Sequence, residues 1–162
     1  MRARGRRRTF AIGGFSLMEI VMILVIVGIG LALALPRVRG ISNLARATTA
    51  QSVVAGDIRR MAALAAQRRR PMVVRWDPVR AELVAGQLGS TVPVLRRALG
   101  AQSEYRLQVS VTPDSAIILP SGLASAFCVR LQSGNAPDTV VRRVQVTMGG
   151  QARLLASGVA CP

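Results

Sequence analysis

Apolar and polar positions fall into three successive patterns along the chain. From Phe15 to Leu35 every residue is apolar or glycine except Ser16 and Glu19. At about 1.5 Å rise per residue this run makes roughly 32 Å of helix, enough to cross a hydrocarbon core. From about residue 41 the pattern changes: Ala47, Ala50, Val54, Ile58, Met61 and Ala65 recur at steps of three and four, which is one face of an amphipathic helix. Arg46, Asp57, Arg60 and Arg68 are expected on the other faces. Pro36, between the two patterns, is expected to bend the helix rather than end it. The spacing therefore predicts helix from Phe15 to about Arg70, near 84 Å by the same rise, closed by Pro71.

Beyond Pro71 the period falls to two. Short β-prone runs, at 72–76, 81–86, 105–111, 116–119, 127–132, 140–148 and 152–156, are separated by turn residues such as Asp77-Pro78, "PSGLAS", "SGNAPD" and "MGG". In 140–146, Arg142 and Arg143 interrupt the alternation and are expected toward solvent. The predicted class is α+β: a long N-terminal helix, membrane-spanning in its first half, with an antiparallel sheet on the apolar face of its second half. The corresponding segments are 15–36 as the membrane helix, 37–70 as its amphipathic continuation, and 71–162 as a β-rich domain.

Charge orients this arrangement. All 22 basic residues are arginine, and the formal net charge is +15. Five of them (Arg2, Arg4, Arg6, Arg7 and Arg8) precede the apolar run with no acid among them. Positive flanks stay cytoplasmic, so the chain beyond about residue 37 is expected outside, in a bacterium the periplasm. Cys128 and Cys161 then lie in an oxidising compartment. A disulfide is expected there, closing a loop of about 34 residues worth roughly 3 to 4 kcal/mol; two buried thiols are the alternative.

Glu19 is the anomaly. A charge inside a membrane helix costs roughly 2.5 to 3.5 kcal/mol at mid-span, and the run holds no basic partner. A secretory signal cut near Ala32–Leu35 and a plain uncleaved anchor both accommodate the apolar run. Neither explains Glu19, and for a signal the run is long and Pro36 follows the cut closely.

Gly13-Gly14, Phe15, Ser16-Leu17-Met18-Glu19, the apolar stretch and Pro36 together resemble the type III signal of type IV pilins and type II secretion pseudopilins. The C-terminal text "ILPSGLASAFCVRLQSGNAPDTVVRRVQVTMGGQARL" is similar to the GspH/FimT branch of minor pseudopilins, with Ser121 where the loop usually has aspartate and Gln151 where the hairpin usually has its first arginine. The resemblance implies that 1–14 is a cytoplasmic leader removed by the prepilin peptidase, which cuts between Gly14 and Phe15, that Phe15 is N-methylated, and that Glu19 pairs with a neighbouring subunit's amino terminus during assembly. It implies a structural subunit of a type II secretion pseudopilus, with major and minor pseudopilins, the inner-membrane assembly platform and membrane lipid as partners. The alternative it offers is a minor type IV pilin acting in pilus biogenesis or DNA uptake, binding DNA through Arg142, Arg143 and Arg153.

Nothing in the sequence points to catalysis or a cofactor. The chain has no histidine, its acids form no paired motif, and neither cysteine has a histidine base nearby. Two cysteines without histidine do not make a metal site.

Overall fold

The computed structural model describes residues 16–134, 139–155 and 158–159. One helix, α1 (Leu17–Arg68), precedes eight strands: β1 (Met72–Asp77), β2 (Glu82–Gln87), β3 (Pro93–Ala98), β4 (Gln108–Thr112), β5 (Ser115–Ile118), β6 (Phe127–Ser133), β7 (Val140–Val146) and β8 (Ala152–Leu155). The chain divides into two compact units at residues 37/38.

In the first unit the described part is helix alone. Its side chains from Leu17 to Leu33 are all exposed, among them Leu17 at 81% and Leu33 at 70%. Among the described residues no helical segment is long and apolar enough to cross a membrane. The apolar side chains described, Leu17 to Leu33, cover about 25 Å against roughly 30 Å of hydrocarbon. The run expected from sequence goes on through Ala34 and Leu35, beyond these side chains. Pro36 does not end α1, which continues to Arg68.

In the second unit the remainder of α1 packs on two four-stranded antiparallel sheets, in the orders β3-β2-β1-β5 and β4-β6-β7-β8. The expected single sheet is thus two, and the chain changes sheet on each of the connections β3–β4, β4–β5 and β5–β6. The helical stripe read from the sequence is the core: Ala47, Ala50, Val54, Ile58, Met61 and Ala65 are all 1% exposed or less. Met72, Val74, Leu83, Ala85, Ala116 and Ile118 cover it from the first sheet, and Phe127, Val129, Leu131, Val144 and Val146 from the second.

Two polar residues lie inside that stripe. Gln51, 5% exposed, donates from Nε2 to the carbonyls of Arg143 (2.8 Å) and Leu155 (3.0 Å), which ties the helix to β7 and β8. Asp57, 7% exposed, accepts two bonds from Arg97 on β3, Nε to Oδ2 at 2.9 Å and Nη2 to Oδ1 at 3.1 Å. Asp57 was expected on an outer face because it is charged. Its position, three residues after Val54 and four before Met61, places it on the buried one. The Asp57 carboxylate, chiefly through this hydrogen bond, raises the Arg97 guanidinium above its ordinary value. Nearby, a side-chain hydrogen bond with Glu104, together with burial, holds the Tyr105 phenol above its own.

Strand β3 was absent from the sequence-based expectation. It opens on Pro93, which is tolerated only at an edge or a strand start. Its side chains are at most half-buried, so no apolar alternation marks it. Register confirms the edge: among the described residues β3 pairs with β2 alone, across an irregularity between Ala85 and Gly86.

The β5–β6 loop meets the β7–β8 hairpin. Ala124 N donates to Met148 O at 2.9 Å, and Gly150 N to Thr147 O at 2.8 Å within the turn. Gly150 has φ +71°, and a Cβ there would overlap the carbonyl oxygen of Gly122. Glycine is required at this point on both counts.

Two outcomes follow for melting of the full chain in detergent, read by the fluorescence of its single tryptophan, Trp76. Arg97→Ala strands a buried carboxylate and is expected to cost about 2 kcal/mol, below the full penalty for a buried pair because Arg97 is a third exposed. Asp57→Ala leaves a cation that can turn to water and is expected to cost less; the reverse ranking would contradict the geometry. Gly150→Val is expected to cost about 2 kcal/mol or more through backbone strain and the clash with Gly122, whereas exposed Gly149→Ala should cost well under half of that.

Candidate functional site

The first candidate site is the start of α1. Ser16 stands just before the helix and its carbonyl accepts from the backbone N–H groups of Glu19 (3.0 Å) and Ile20 (3.2 Å). Serine followed three residues later by glutamate is the spacing of a capping box, a signal in the sequence that the membrane reading had passed over. An acid in the first turn also complements the helix dipole. Even so, the Glu19 carboxylate makes no hydrogen bond or ion pair among the described residues. Gly14 and Phe15, the residues of the expected cleavage point, lie outside them.

The second candidate is the outer face of the second sheet. Alternation along β7 separates the two neighbouring arginines. Arg142 pairs with Leu131 and shares the helix-facing side with Val144 and Val146. Arg143 pairs with Arg130 of β6 on the opposite, outer side, where Arg153 of β8 sits across from Gln145. The cluster formed by the fold is thus Arg130, Arg143 and Arg153, and the expected trio of Arg142, Arg143 and Arg153 is not on one face. Period-two counting from Val144 and Val146 was the signal that separates Arg142 from Arg143. One guanidinium nitrogen of Arg143 donates to the carbonyl of Val159, and Arg130 Nη2 donates to Gln132 Oε1 at 3.3 Å. No aspartate or glutamate occurs in β4, β6, β7 or β8. Cys128, buried on β6, is disulfide-bonded; Cys161 lies outside the described residues.

The third is the apposed loop and hairpin. Ile117, Leu119, Leu123 and Met148 line an apolar groove of about 750 Å³ and are themselves 37 to 74% exposed. Ser121 and Gln151, where the resemblance expects an acid and an arginine, are both exposed. Among the described residues no three acids or cysteines come together as metal ligands.

The sequence matches no family model, and no curated protein is similar to it. Solved structures are. The type IV minor pilin FimU of Pseudomonas aeruginosa PAO1 superposes with a TM-score of 0.59 at 14% identity, covering 75% of this chain and 96% of that one. The minor pseudopilin EpsH of the type II secretion system of Vibrio cholerae superposes with a TM-score of 0.55 at 20% identity, covering 70% of this chain and 99% of that one. A helix packed on antiparallel sheets, matching a minor pilin and a minor pseudopilin over nearly their whole lengths and 70 to 75% of this chain, gives it the pilin-like fold.

Proposed function

We infer that this chain is a minor pseudopilin, a structural subunit in the tip or initiation complex of a type II secretion pseudopilus. In this reading the prepilin peptidase removes residues 1–14, cutting between Gly14 and Phe15, and Phe15 becomes the N-methylated end. Residues 15–36 then hold the subunit in the inner membrane, with the domain in the periplasm, until the assembly platform passes it into the filament. The pairing of Cys128 with Cys161 ties the C-terminus to β6. The chain carries out no catalysis.

One observation carries the reading: a pilin-like domain is joined to a helical segment whose apolar side chains, Leu17 to Leu33, are all exposed and whose one carboxylate, Glu19, is unpaired among the described residues. Each Leu, Ile or Val of that helix gains about 1.5 to 3 kcal/mol on leaving water. Lipid supplies this before assembly and neighbouring helices after it. A contiguous apolar surface of this kind marks an interaction site. Glu19 needs a cation in the same low-dielectric surround, and the new amino terminus of an adjacent subunit provides one.

A second reading is favoured by the acid-free outer face of the second sheet: a minor type IV pilin that binds DNA through Arg130, Arg143 and Arg153. Clustered guanidinium groups without nearby carboxylates suit phosphate contacts.

The test of the first reading is a chromosomal Glu19→Val strain beside a clean deletion. Both are expected to retain exoproteins in the periplasm, and the variant subunit is expected at normal length and amount in the inner membrane but missing from sheared filaments. Normal secretion by the deletion strain would exclude type II secretion. For the second reading, the full chain is expected to bind duplex DNA with an affinity that falls with salt. Arg130→Ala, Arg143→Ala and Arg153→Ala should each reduce the salt slope by about 1, and Arg142→Ala should not.

A further inference from the structure

The outer face of the first sheet holds a second basic cluster of different make-up. Register sets Arg75 of β1 against Val84 of β2, and Val84 against Arg96 of β3. The three stand in one row across the strands, which places the Arg75 and Arg96 backbones about 10 Å apart with Val84 between them. Two adjoining hollows, of about 440 and 50 Å³, share these three residues, so the row crosses the middle of one trough. Arg80 and Glu82 line its wide end and Thr91 its narrow end.

Its groups are uncommitted. Arg75, Arg80 and Arg96 are exposed, and none makes a side-chain hydrogen bond or ion pair among the described residues. Asp77 is already occupied: Oδ1 accepts from the backbone N–H groups of Val79 (3.0 Å) and Arg80 (3.2 Å). Glu82 is not, for its Oε2 is buried and has no hydrogen-bond partner among the described residues. A buried acceptor left unpaired costs about 1 to 3 kcal/mol, more when charged.

We propose that this trough is a docking site for an extended acidic segment of a neighbouring pilin-like subunit, whose carboxylate is held between Arg75 and Arg96 over Val84 while Glu82 turns its buried Oε2 into the trough to accept from an N–H group of the same segment. The inference rests on the pilin-like reading only for the identity of the partner. The chemistry selects the occupant. Guanidinium groups bind carboxylates in charge-assisted pairs, and the orphaned acceptor of Glu82, two residues from Val84 along β2, calls for a donor on the same ligand. A polypeptide carries both. A phosphodiester backbone brings charge without that donor. A planar bilayer does not enter a trough. The described strands of the second sheet carry no carboxylates, so the two faces of the domain suit different partners.

The test places a photoreactive benzophenone side chain at Thr91 in the full chain, in the envelope of the host cell, with a second at Ile23 on the exposed apolar helix as a control for assembly. From Thr91 the expected adduct maps to a peptide containing aspartate or glutamate in another pilin-like chain. Arg75→Glu combined with Arg96→Glu is expected to lower its yield about tenfold, leave the Ile23 adducts unchanged, and be rescued by reversing the mapped acid to arginine. Both residues are exposed and unpaired, so melting should not move; if it does, Arg75→Gln with Arg96→Gln gives the same comparison, with a smaller loss that must still exceed twofold. Thr91 adducts to lipid or nucleic acid, or a yield indifferent to these changes, would overturn the inference, as would Ile23 adducts with none from Thr91. Absence of both adducts would overturn the pilin-like reading along with it.

Discussion

The domain depends on the burial of one narrow helical stripe by two sheets at once. Ala47, Ala50 and Ala65 lie completely covered on it, and the larger Val54, Ile58 and Met61 are buried between them. Leu83 and Ile118 from one sheet and Val129 and Leu131 from the other join Val54, Ile58 and Met61 in one apolar cluster. One continuous core thus serves two sheets where the sequence suggested one.

Apolar burial is non-directional, so it does not by itself fix where each sheet sits along the stripe. Gln51 and Asp57 do. One engages carbonyls of β7 and β8, the other a guanidinium on β3, and six positions of helix set them about 120° apart, on opposite edges of the stripe. A slide of either sheet by one residue would leave a buried amide or a buried carboxylate unsatisfied, a cost of the order of 1 to 3 kcal/mol or more. The polar insertions thus give the packing its register.

The legible and illegible parts of the sequence divide on physical grounds. The buried helical face could be read from period alone, because every third or fourth residue from Ala47 to Ala65 is apolar. Strands buried on one side could be read from alternation, as in β6 and β7. Three things could not be read this way. The polar residues within the stripe were assigned by their chemistry, although their spacing already placed them inside. Strand β3 lacks an apolar period because it is an edge whose central role is a salt bridge. The basic cluster on the second sheet requires strand pairing: Arg130 and Arg143 are thirteen residues apart in the chain yet directly opposed across β6 and β7. At the start of α1 the sequence carries both a membrane segment interrupted by an acid and the spacing of a capping box, and the structure begins the helix right after Ser16.

The contact between Gly122 and Gly150 has a consequence for how this surface can change. The fit there is between backbones, so the loop and hairpin hold their shape whatever side chains flank the two glycines. Ser121 and Gln151, both exposed, sit next to the fixed points without taking part in them. Such a junction behaves like a mount with exchangeable fittings: the chemistry shown at its rim can be rewritten, acid to hydroxyl or guanidinium to amide, while the mount stays in place. A lineage carrying this fold can therefore change the chemistry of this rim by single substitutions that leave the glycine junction untouched.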